Sequence, residues 1–128
     1  MSWRRLLHIA WTFLLLSCGH NKLDGKVQTI RLQYIAWACD CANWARPADM
    51  TKYGDAKSVD ALADRCIFIE PADSSIKLPG EASEIELTGQ FYQEKGFPKG
   101  YVSTEFPRPD KASVFRYTKY KVIRRLTP

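Results

Sequence analysis

Three cysteines lie in the body of the chain, and two of them are separated by a single residue. Cys39 and Cys41 fall within ACDCANW, residues 38–44, and Cys66 follows 25 residues after Cys41. Thiolates suit copper(I) or zinc, and an oxidising compartment would favour a disulfide instead. The chemistry open to these residues is therefore a metal or redox site, a structural disulfide, or unpaired buried thiols.

A metal site would have to use all three cysteines. Closing such a site normally takes three or four ligands. Cys39, Cys41 and Cys66 would need water or Asp40 as the fourth, and Asp40 points to the opposite face of a regular strand. The one histidine near the folded part, His20, lies on the segment that leads into it.

A structural disulfide is the favoured interpretation of these cysteines. In a regular strand, Cα atoms two residues apart lie about 6.5–7 Å from each other, at the edge of disulfide geometry. A Cys66 bridge would close a loop of about 25 residues and contribute about 3 kcal/mol. We therefore predict a disulfide between Cys66 and Cys41, or less favourably Cys39, with the third thiol reduced and shielded beside Trp37 or Trp44.

Strands are the elements expected to position the cysteines. Residues 27–39 are strand-like, with Ile30, Leu32 and Tyr34 on one face, and the pattern changes phase near Ile35–Trp37. Residues 66–71 form a short apolar strand. Residues 83–96 alternate cleanly and place Gly89 on the inward face, which indicates a bend or a close backbone approach. The last strand, residues 113–126, changes phase near Thr118. One short helix is predicted after Ser58, a suitable N-cap.

This pattern predicts a mainly β fold, a small antiparallel barrel or sandwich with one short helix. The five-stranded oligonucleotide/oligosaccharide-binding (OB) barrel is the favoured version, because its coiled strands require bends of this kind. Such a fold does not define a function.

The N-terminal segment indicates where the protein is located in the cell. Arg4 and Arg5 precede an apolar stretch, residues 6–16, that is too short to span a bilayer. It ends in Leu15-Leu16-Ser17-Cys18, which resembles the lipobox of the bacterial lipoproteins. The resemblance implies cleavage after Ser17, a diacylglycerol and an acyl chain on Cys18, and attachment to a membrane of the cell envelope, with the outer membrane favoured. The expected division is a signal peptide at 1–17, a lipidated cysteine and flexible tether at 18–26, and a β domain at 27–128.

No enzymatic site is predicted. Asp60, Asp64 and Glu70 lack a spacing that pairs carboxylates, and a Ser–His–Asp set would have no usable histidine. Removing Arg4 and Arg5 would leave 17 basic and 14 acidic residues, which is too balanced for nucleic-acid binding.

The prediction is a non-enzymatic binding or structural module without a cofactor, whose partners are membrane lipid and an envelope protein or small ligand. Its alternative is a copper, zinc or thiol-redox protein that uses the three cysteines. The candidate ligand contacts are aromatic: Trp37, Trp44, Phe97 and Tyr101.

Overall fold

The structure is a computed structural model that describes residues 21–126. Five strands hydrogen-bond into a closed ring in the order β1-β2-β3-β5-β4. Their bounds are β1 Gln28–Tyr34, β2 Trp44–Ala45, β3 Ile67–Pro71, β4 Ala82–Phe91 and β5 Ser113–Arg125. The predicted mainly β class is confirmed.

Two features of the ring differ from the prediction. The pairing is mixed, because β5 lies between β4 and β3 and runs parallel to β3, while all other pairs are antiparallel. Two short helices separate β2 from β3, α1 at Pro47–Tyr53 and α2 at Val59–Ala63. The sequence prediction contained only α2. The signals for α1 are Pro47 at its first turn, Asp49 near its start and Lys52 near its end.

Alternation along the long strands builds the core inside the ring. Ile30 and Leu32 of β1 are buried, and Ile85 and Leu87 of β4 are fully enclosed opposite them. The phase change predicted near Thr118 is confirmed, because the β4–β5 register skips that residue. This bulge lets β5 keep an inward face while it bends around the core.

Gly89 lies at the same bulge and faces the backbone of β5. A Cβ atom built on Gly89 would stand 2.0 Å from the Arg116 carbonyl oxygen. The close backbone approach expected from an inward glycine is therefore present in the structure.

A second core covers the outer face of β3 and β5. Phe68 and Val114 point outward from the ring and are buried by the helices and the loop between β4 and β5. Cys66 and Leu62 belong to this second core. It explains why both faces of the 66–71 segment are apolar.

The first described residues are fastened to the domain. The predicted flexible tether includes residues 21–26, yet the chain here runs beside the end of β4. Asn21 exchanges two hydrogen bonds with the Glu94 backbone, at 2.8 and 3.0 Å, and Leu23 forms a bridge with Tyr92. The Asp24 amide also donates to the Phe91 carbonyl at 2.9 Å. The folded body therefore begins no later than residue 21.

Candidate functional site

The paired cysteines lie in a loop instead of a strand. β1 ends at Tyr34, and the Ile35 amide donates to the Asn43 carbonyl at 2.8 Å, which closes residues 36–42 into a loop. Cys39 and Cys41 are disulfide-bonded there, with Cα atoms 5.2 Å apart. The predicted bridge to Cys66 is thus wrong in this structure. Its premise fails because a bent backbone brings the Cα atoms well inside the usual disulfide range.

Asp40, between the two cysteines, fastens this loop to the loop at residues 97–111. Tyr101 Oη donates to the Asp40 carbonyl at 2.7 Å, and the Asp40 amide donates to Glu105 Oε1 at 2.9 Å. Ser103 Oγ also donates to Asp40 Oδ2 at 2.8 Å. We call this set of contacts the Asp40 clasp. It joins segments more than 60 residues apart in sequence.

Cys66 is the remaining thiol, and its side chain is buried in the second core. Its exposed fraction is 2%, and Sγ donates to the Leu62 carbonyl at 3.4 Å. Burial raises the pKa of the Cys66 thiol, and the neighbouring Trp37 indole N–H opposes that increase only in part. The Trp37 N–H is itself buried and makes no regular hydrogen bond to another of the described residues. A shielded leftover thiol beside Trp37 was predicted, although Cys39 or Cys41 was expected in that place.

The structure does not bring the three cysteines together as a ligand set. Two of the sulfurs are bonded to each other and the third is enclosed elsewhere. Among residues 21–126, no group of three or more histidine, cysteine or acidic side chains is placed to hold a metal ion. His20 and the predicted lipidation site Cys18 lie outside the described residues.

Phe97 and Tyr101 form a stacked pair on the domain surface. Their ring centroids are 4.6 Å apart, and each ring also packs against Phe68. The Arg108 guanidinium lies 4.2 Å from the Phe97 centroid on the return limb of the loop. These two predicted ligand contacts therefore serve to fasten the 97–111 loop.

A buried carboxylate fastens the start of the same loop. Glu70 on β3 accepts hydrogen bonds from Tyr92 Oη and from the Lys99 amide, the latter at 2.6 Å. Arg116 Nε is 3.9 Å from Glu70 Oε2. Burial, together with the hydrogen bond to Glu70, raises the pKa of Tyr92 to about 12. Sequence reasoning considered Glu70 only as an acid–base group and missed this structural role.

Trp44, another of the predicted ligand contacts, lines an apolar pocket. The pocket, of about 340 Å³, opens at the end of the ring where β1 finishes and β4 begins. We call it the aromatic pocket. Its main walls are Tyr34, Trp44, Ile69, Leu78, Tyr117 and Leu126, and Lys77 is the charged residue at its edge.

Sequence patterning had assigned Tyr34 to the inward face of β1, and the structure shows why it is available to a ligand. β2 is only two residues long, so only a short stretch of sheet surrounds the pairing of Tyr34 with Trp44. The rings of these two residues meet edge to face, with centroids 5.4 Å apart. Tyr34 is 38% exposed and Trp44 is 8% exposed, so Tyr34 is the more accessible member of this pair. Aromatic side chains commonly line small-molecule pockets.

Comparison of the chain with protein-family models, curated proteins and solved structures gave no match. Between residues 21 and 126 there is also no helix of the length and apolar character needed to cross a bilayer.

Proposed function

We propose that this chain is a lipid-anchored, non-enzymatic binding module of the bacterial cell envelope. The aromatic pocket carries the proposal. It combines an apolar floor, three aromatic side chains (Tyr34, Trp44 and Tyr117) and one cation, Lys77, in a volume suited to a small ligand. The lipobox-like Leu15-Leu16-Ser17-Cys18 is the basis for the proposed attachment to a membrane of the cell envelope.

The described structure supports this arrangement of anchor and pocket. Residues 21–25 pair with residues 90–94, at the end of β4, whereas Ala82 at the start of β4 lines the pocket. The ten residues of β4 span roughly 30 Å at about 3.3 Å each. A domain tethered through Cys18 would therefore present the pocket on the side away from the membrane.

The expected ligand is a small apolar molecule with an anionic group, or an apolar side chain of an envelope protein. Aromatic and aliphatic walls favour an apolar body, and Lys77 at the edge favours a negative charge. We propose neither a nucleic-acid partner nor a cofactor for this site.

Lipidation is tested by metabolic labelling with an alkynyl fatty acid. The wild-type chain should incorporate the label and move to the membrane fraction, and Cys18→Ala should do neither. Label retained by the Cys18→Ala chain would contradict the proposal.

Pocket binding is tested with the anionic dye 8-anilinonaphthalene-1-sulfonate. We expect saturable binding by the wild-type chain and at least about tenfold weaker binding by Gly80→Leu, because loss of apolar contacts worth about 1.4 kcal/mol has that effect. Gly80 lines the pocket, and a Cβ atom there meets no heavy atom within 4 Å, so a leucine can be added at this wall without displacing backbone. Ala48→Leu, on an exposed position of α1, is the matched control. Equal dye binding by all three chains would refute the pocket.

A further inference from the structure

We infer that the 97–111 loop inserts Phe106 and Val102 into the membrane to which the chain is anchored. The inference rests on the proposed lipid anchor and adds a second contact between protein and bilayer. Phe106 is 99% exposed and Val102 is 80% exposed, so both side chains project fully from the loop.

These side chains project from a loop whose base is well fastened. The Asp40 clasp, the Phe97–Tyr101 stack and the Glu70 hydrogen bond to Lys99 hold it at several points. A single exposed apolar side chain needs no special explanation. Two exposed apolar side chains on one loop that the domain holds in place are both available for contact with an apolar partner.

The loop starts beside the first described residue. Gly96 and Ala112 exchange backbone hydrogen bonds at the loop base, of 2.9 and 3.1 Å. A Cβ atom on Gly96 would be 3.9 Å from Asn21 Nδ2, and Asn21 is bonded to Glu94 just before the base. The anchor and the loop therefore leave the domain at the same end of the ring.

Chain length limits how far this end can stand from the bilayer. Asn21 is three residues after Cys18, so they are separated by at most about 11 Å of extended chain. An apolar side chain in the interfacial region of a bilayer is buried about 5–10 Å into the boundary between headgroups and acyl chains. A loop that starts next to Asn21 is thus within reach of that boundary whenever Cys18 is acylated.

The charge of the loop does not favour a different binding partner for Phe106 and Val102. Residues 94–111 contain four basic and three acidic side chains, and one of the acids, Glu105, is bound to the Asp40 amide. Two apolar side chains on a nearly neutral loop fit the acyl region of a membrane. An acidic or basic protein partner would call for a charged patch instead.

The test uses the full lipidated protein in vesicles of phosphatidylethanolamine and phosphatidylglycerol with brominated acyl chains. Phe106→Trp places a fluorophore at the loop, and the emission of the native tryptophans is subtracted with wild-type protein. Tyr120→Trp is the matched control, because Tyr120 is also exposed, at 40%, and lies seven residues along β5 from Ser113, away from the base of the loop.

We expect brominated lipid to quench roughly half or more of the added Phe106→Trp emission, as interfacial burial at the loop requires. The added Tyr120→Trp emission should be quenched little. The quenching should not change with the phosphatidylglycerol fraction. Unquenched Phe106→Trp emission in protein that floats with the vesicles would overturn the inference and point to water or a protein partner. Protein that fails to float with the vesicles would overturn the lipid anchor, and the loop insertion with it.

Discussion

Replacing Gly89 by alanine tests the packing that closes the ring. The added Cβ would lie 2.0 Å from the Arg116 carbonyl oxygen and 2.7 Å from Tyr117 Cα. Both atoms belong to the backbone of β5, which is paired on one side with β4 and on the other with β3. No side-chain rotation can relieve the contact.

The size of the effect follows from these distances. A relaxed C···O contact is about 3.3–3.6 Å, so the strands would have to separate by more than about 1 Å at the bulge. Inserting one carbon into a well-packed interior costs typically about 1–3 kcal/mol, and a contact between two backbones belongs at the upper end. We expect Gly89→Ala to lower the free energy of unfolding by about 3 kcal/mol. At about 4–8 °C per kcal/mol for a domain near 100 residues, Tm should fall by roughly 12–24 °C.

Urea unfolding followed by tryptophan fluorescence measures the change, with Gly80→Ala as the control. A Cβ on Gly80 meets nothing within 4 Å, so that variant should differ from wild type by less than about 1 kcal/mol, and with the sign of a stabilisation. A loss below about 1 kcal/mol for Gly89→Ala, or equal losses for the two variants, would show that β4 and β5 are not in contact at this point.

Three further predictions concern the cysteines and the tyrosine that binds Glu70. The Cys39–Cys41 disulfide closes a loop of three residues, so its reduction should lower the free energy of unfolding by only about 1.5 kcal/mol in the entropy model. A loss near 3 kcal/mol on adding reductant would instead favour a bridge to Cys66. Because burial raises its pKa, the Cys66 thiol should resist iodoacetamide in the native protein even above pH 9. After unfolding without reductant it should become the one alkylated cysteine among residues 21–126, and rapid labelling of the native protein detected by mass spectrometry would contradict its burial. The fold favours the neutral phenol of Tyr92, so the contribution of Tyr92 to stability should be complete below about pH 10 and lost as the pH rises towards 12. Tyr92→Phe should lack this loss of stability at alkaline pH. Unfolding free energies with the same pH dependence in the two proteins would contradict the prediction.

The long strands could be predicted from sequence because one face of each is buried. Period-two alternation marked the inward residues of β1 and β4, and the inward glycine marked the close approach at Gly89. β2 could not be predicted, since two residues carry no periodicity. The parallel pairing of β3 with β5 was also missed, because local patterns contain no information about which distant strand closes the ring.

The cysteine pairing was predicted incorrectly because it depended on where β1 ends. The predicted strand was continued to Cys39 in spite of the phase change near Ile35–Trp37. The bond between Ile35 and Asn43 shows that the chain has already turned there. The Asp40 clasp joins residues more than 60 positions apart, so no local signal revealed it. Trp44 was identified as a ligand contact because it is aromatic. Its pocket neighbour Leu78 comes from a segment in which no strand or helix was predicted, and Leu126 was assigned to the last strand without a role in binding.

The disulfide and the proposed membrane contact are connected through the backbone of Asp40. Two of the three hydrogen bonds in the Asp40 clasp use the Asp40 amide and carbonyl, and only one uses its side chain. The clasp therefore depends mainly on the backbone conformation between Cys39 and Cys41, which the disulfide restricts. A three-residue ring adds little to the free energy of unfolding. It does fix the direction of the peptide groups that hold the 97–111 loop. We therefore expect this disulfide to act mainly on the orientation of the loop that carries Phe106.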